Sequence, residues 1–68
     1  MASIFRDQII VIYVDEDNTE IVRAADTRLL PRVGENVRIR DVPYVVERIG
    51  YDLPEGLIEK VWIVVRHA

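Results

Sequence analysis

The sequence predicts an all-β protein in which five short antiparallel strands close into a small barrel. Three observations point there. Half of the 68 residues are apolar, and the apolar segments are rich in valine, isoleucine, tyrosine and tryptophan, the side chains that suit a pleated, half-buried surface. Glycine, proline and short polar clusters cut the chain into pieces shorter than a typical helix. Between most of those pieces lie residues that favour tight turns, so neighbouring strands are expected to pair as hairpins.

The first strand is expected over Ile4–Val14 and the second over Glu20–Ala24, joined through the polar tetrapeptide Asp15-Glu16-Asp17-Asn18. The stretch from Ala24 to Pro31 has alanines, an arginine and leucines that tolerate helix, so an α+β arrangement is the competing fold. Pro31 and Gly34 would stop a helix quickly, and eight residues are marginal for one. A crossing loop with at most one short helical turn near residues 25–30 is the expectation.

The third strand, Asn36–Ile39, alternates cleanly, with Val37 and Ile39 on one face and Arg38 and Arg40 on the other. Arg40-Asp41 is a two-residue connection to the fourth strand, Val42–Tyr51. In that strand Tyr44 and Val46 share a face, but the apolar phase continues at Ile49 and Tyr51, a slip of one residue around Glu47-Arg48. A β-bulge produces such a slip and lets one long strand bend, and Gly50 beside it eases the bend. Leu53-Pro54-Glu55-Gly56 reads as a turn with proline early and glycine late, leading into a fifth strand over Ile58–Val65. Five short strands with a bent fourth one suit a strongly curved barrel that makes one domain of residues 1–68.

The pattern Pro31-Arg32-Val33-Gly34-Glu35-Asn36-Val37-Arg38-Ile39, followed by Tyr44-Val45-Val46 and Ile49-Gly50-Tyr51-Asp52, resembles one seen in small stand-alone β-barrels of bacteria, phages and mobile gene cassettes. The architecture this implies is of the Src-homology-3 type. It also implies an accessory protein of a phage or mobile element, acting on a host protein or a small signalling molecule. A shared fold says more about architecture than about chemistry.

Composition removes several classes of function. The longest apolar run, Ile9–Val14, is six residues, against the roughly 20 needed to span a bilayer as a helix. No basic segment leads into an apolar stretch at the N-terminus, so no signal peptide is read and the cytoplasm is the expected compartment. With one histidine and no cysteine the chain lacks a zinc ligand set and a disulfide framework. His67 and the only serine, Ser3, sit at opposite ends of the chain, which argues against a nucleophile–base pair. Glu47 and Asp52 come nearest to carboxylates in an apolar setting, yet both read as solvated acids. No enzyme and no cofactor are expected.

Asp15, Asp17 and Thr19 place oxygens at alternate positions, as calcium loops do. Such a loop also needs glycine at its sixth position and glutamate at its twelfth, where this chain has Glu20 and Asp26. A plain turn, with no metal, is the expectation.

Two surface readings remain. Residues 23–48 hold six arginines against four acids, a local charge of +2, whereas residues 1–22 hold one basic and five acidic side chains, a local charge of −4. An arginine-rich face made of Arg32, Arg38, Arg40 and Arg48 with Tyr44 and Tyr51 could contact phosphates and stack bases, or hold a small ligand between subunits. The net charge of −3 and a pI near 5.0 weaken the field such a face would offer a polyanion.

The favoured reading is self-association. Ile9–Val14 and Val61–Val65 are apolar at successive positions, whereas an antiparallel strand with one wet face should alternate. A curled barrel could itself hide some of these side chains; the favoured expectation is that a surface of Ile10, Ile12, Tyr13, Trp62 and Val64 meets a partner, with Tyr13 and Trp62 as anchors. The partner would be another copy of the chain or a further protein. The sequence thus predicts a non-catalytic interaction module, most naturally a homo-oligomer, with nucleic-acid binding and intersubunit ligand binding as alternatives.

Overall fold

The structure is a computed structural model that describes residues 9–25, 30–56 and 58–68. Five strands, β1 (Ile10–Val14), β2 (Glu20–Ala25), β3 (Asn36–Ile39), β4 (Val42–Asp52) and β5 (Lys60–His67), form one sheet in the order β2-β1-β5-β4-β3. Residues 4–8 of the expected first strand, and 26–29 of the expected helical turn, lie outside the described residues. The helical content that is seen is a 3₁₀ turn at Pro54–Gly56, inside the connection that the sequence marks as a turn.

The purely antiparallel expectation is corrected. β1 runs parallel to β5, with Ile10 beside Lys60 and Val14 beside Val64, so the sheet is mixed. The three hairpin pairs β1–β2, β3–β4 and β4–β5 are antiparallel. Hairpin chemistry near a strand's end predicts its sequential partner, but nothing local to β1 or β5 dictates that they should meet.

The turns are built as their residues dictate. Asp15 Oδ1 accepts hydrogen bonds from the amides of Asp17 and Thr19, both at 2.9 Å. The Asn18 amide donates to the Asp15 carbonyl at 3.0 Å, and Asn18 takes a left-handed φ of 66° that its short polar side chain tolerates. Before β3, the Glu35 amide donates to the Arg32 carbonyl at 3.0 Å, while the Glu35 carboxylate accepts from the Arg32 amide at 2.8 Å. Gly34, with φ +93°, occupies the turn position that excludes most side chains.

Six side chains are almost fully enclosed, Val11, Ile12, Val46, Val61, Ile63 and Val65, all on β1, β4 and β5. Each contributes about 1.5–3 kcal/mol relative to an exposed position. They divide between two faces. On the concave face Val11, Val61, Ile63, Val65, Val46, Tyr44 and Ile39 form the main core, with Tyr13 and Val37 packed against it. In a flat sheet β1 and β3 would lie about three strand spacings, roughly 14 Å, apart. One cluster joining their side chains requires a curled sheet, a half-barrel with β2 and β3 as its edges. On the convex face Ile12, Val14 and Val64 form a second cluster with Ile10.

The unbroken apolar runs of β1 and β5 therefore have an internal explanation. They are a parallel pair in the interior of the sheet, covered by side chains on both faces, and such strands lose the in–out alternation of a half-exposed one. Among the described residues no helix is long and apolar enough to cross a membrane.

Candidate binding face

The bulge in β4 decides what the convex face presents. Val46 pairs with Val65 and Arg48 with Val64, leaving Glu47 as the extra residue. Side chains on paired antiparallel residues share a face. Beyond the bulge Ile49 and Tyr51 therefore follow Ile63 and Val61 to the concave side, while Arg48, Gly50 and Asp52 follow Val64, Trp62 and Lys60 to the convex side. Without the inserted residue that order would invert, putting Ile49 outside and Arg48 in the core.

Trp62 is the large aromatic of this face. It sits on an interior strand between buried Val61 and Ile63, yet it is 39% exposed. Its cross-strand neighbour on β4 is Gly50, where an added Cβ would meet nothing within 4 Å. A groove of about 330 Å³ runs here, lined by Val14, Asn18, Arg48, Ile49, Gly50, Trp62 and Val64. Of the predicted interface residues, Ile12 (1% exposed) and Val64 are enclosed by the chain itself, Ile10 and Tyr13 are half-buried, and Trp62 is open.

The predicted arginine face is distributed over several places. Arg48 lines the Trp62 groove. Arg32 lines a second, more open groove of about 450 Å³ at the mouth of the half-barrel, with Tyr13, Leu30, Pro31, Glu35, Asn36 and Val37. Arg38 lies exposed on β3 opposite Pro43, and Arg40 occupies the β3–β4 turn with φ 53°. Tyr44 is not brought to them, because its ring is buried on the concave side with its centroid 4.9 Å from that of His67. Tyr51 is exposed towards the end of β4.

Arg66, which the sequence reading did not single out, joins the convex face opposite Val45. Continuing the alternation Trp62, Val64 by one more step would have found it. Among the described residues the ion pair present is Arg23–Glu20 at 2.6 Å, across the exposed edge strand β2. Hydrogen bonding to Arg23 holds the Glu20 carboxyl below its ordinary range, and the same bond raises Arg23. Burial pushes the Tyr13 hydroxyl above its ordinary value.

These side chains offer an aromatic anchor, a groove floored by glycine and a margin of cations, which suit contact with a surface. Asp15 is committed to its own turn, and among the described residues no group of three or more acidic or histidine side chains is placed to hold a metal ion. No protein-family model matches the chain, and searches of curated proteins and of solved structures return no match.

Proposed function

We propose that this half-barrel is a non-catalytic binding module of the Src-homology-3 architectural type that self-associates through its convex face. The observation that carries the reading is Trp62, open to solvent between buried Val61 and Ile63 and facing the bare backbone of Gly50. A tryptophan beside an unfilled groove is the kind of anchor that dominates interface energies. A phage or mobile-element accessory protein working in the cytoplasm is the setting in which such a module would serve.

The test is the solution mass. Light scattering of the purified chain should give a dimer or larger closed oligomer, and Trp62→Glu should reduce it to a monomer with an unchanged β-type circular dichroism spectrum. A wild-type monomer across the accessible concentration range would overturn the proposal.

Nucleic-acid binding is the second reading, favoured by Arg38, Arg48 and Arg66 on the same face as Trp62. The acidic β1–β2 turn lies close by, since Asn18 lines the Trp62 groove, and it lowers the attraction a phosphate backbone would feel. Mixed DNA and RNA should bind at low ionic strength if this reading holds. Absence of binding there removes it.

A further inference from the structure

We infer that two copies of the chain join edge to edge, by antiparallel pairing of the lower half of β4 about a twofold axis at Gly50. This rests on the self-association proposed above, places the contact at the sheet edge beside Trp62, and names its register. β3 covers only the first part of β4: it pairs Asn36 with Val45, and the chain before it bonds Gly34 and Glu35 to Val46. Beyond the bulge, among the described residues, no strand pairs with β4 on that side.

Peptide groups alternate sides along a strand. The Asp52 carbonyl accepts from the Glu59 amide at 2.9 Å, on the β5 side. The N–H and C=O groups of Tyr51 and Ile49 consequently point away from β5, to the side where no described strand pairs with them.

A twofold axis through Gly50 sets each residue opposite the one equally far along the other copy. Ile49 then faces Tyr51 of the second copy and exchanges both backbone hydrogen bonds with it. The same happens at Tyr51, so four bonds form from groups that no described strand pairs. Arg48 stands opposite the second copy's Asp52, and Asp52 opposite its Arg48, giving two oppositely charged pairs on the convex face. These fall at non-hydrogen-bonded positions, where side chains come closest.

Gly50 meets its own symmetry mate, flanked on either side by a Trp62 that can lean over the bare glycine, as aromatic residues do across strands. On the concave side Tyr51, 53% exposed in the single chain, gains cover from Ile49 of the second copy. An isologous contact of this kind closes as a dimer.

Arg48→Glu, Asp52→Arg and an equimolar mixture of the two, measured by sedimentation at matched concentrations, test the register. Each variant alone sets two like-charged pairs across the axis and should weaken self-association at least about tenfold. In the mixed dimer one pair is reversed and the other native, so association should return towards the wild-type value. Tyr51→Pro provides a second check, since it removes an amide that points only to the free edge and should yield a folded monomer.

A dimeric wild type whose variants stay equally dimeric, or whose mixture regains nothing, overturns this register while leaving self-association standing. A monomeric wild type overturns both.

Discussion

The β3–β4 turn places two side-chain-bearing residues in backbone conformations better suited to others. Arg40 has φ 53° and Asp41 φ 68°, the left-handed pair of a two-residue hairpin whose twist matches its strands. An ordinary L-residue there costs about 1–2 kcal/mol, because Cβ crowds the following carbonyl oxygen; aspartate and asparagine cost less. Replacing Arg40-Asp41 by Asn-Gly should relieve about 1 kcal/mol at the first position and somewhat less at the second. The new glycine adds unfolded-chain freedom worth about 0.4–1 kcal/mol, which cancels most of the second gain.

The net expectation is about 1 kcal/mol of added stability, or a rise of about 4–8 °C in Tm for a domain of this size. Urea unfolding followed by Trp62 fluorescence measures it, at one fixed protein concentration because association would contribute to stability. With a slope of about 1 kcal/mol/M, the midpoint should rise by about 1 M. A midpoint that stays or falls in a variant with native circular dichroism would refute the strain assigned to this turn. Gly34→Ala supplies the opposite sign: a Cβ at φ +93° meets no atom within 4 Å, so backbone strain acts alone and a net loss of about 1 kcal/mol should follow.

Two further predictions concern single side chains. Asp15→Ala removes the acceptor for two turn amides and should cost about 1 kcal/mol in urea unfolding, whereas Asp15→Asn keeps an acceptor oxygen and should cost much less. The raised pKa of Tyr13 means that its neutral form is favoured in the folded chain, so the associated stability is fully present below the ordinary tyrosine value of 10.0 and is lost as the pH climbs through the raised value. Tyr13→Phe should abolish that part of the alkaline loss. Unfolding midpoints at neutral pH and above pH 10 that fall equally in both proteins would contradict it.

The candidate face was partly legible in the sequence. The phase slip around Glu47-Arg48 identified the bulge, and the bulge sends Arg48 to the side of Trp62. Trp62 stands out in the sequence as a large aromatic on a strand apolar at successive positions, and in the fold it is the exposed member of that set. Ile12 and Val64 cannot be separated from it in the sequence, because apolar residues on both faces of a strand look the same whether a partner chain or the chain's own sheet covers them. Tyr44 lies near the arginines in sequence, but its pairing with Val37 and His67 draws it to the concave side. Arg66 was missed because it lies far along the chain from the arginine-rich segment whose face it joins.

The strands and their turns are legible in the sequence, although β5 lies two residues further along than the expected Ile58–Val65. Side-chain period, β-branched content, the Asp15 and Gly34 turns and the one-residue slip in β4 act over a few residues, and each is written in the residues that produce it. The order of the sheet and the parallel meeting of β1 and β5 arise only in the folded chain. Backbone hydrogen bonds are the same for every pair of strands, and two strands apolar on both faces will accept many neighbours. What selects one arrangement is the curvature that lets Val11, Ile39 and Ile63 share a single core, and that is a property of the whole chain.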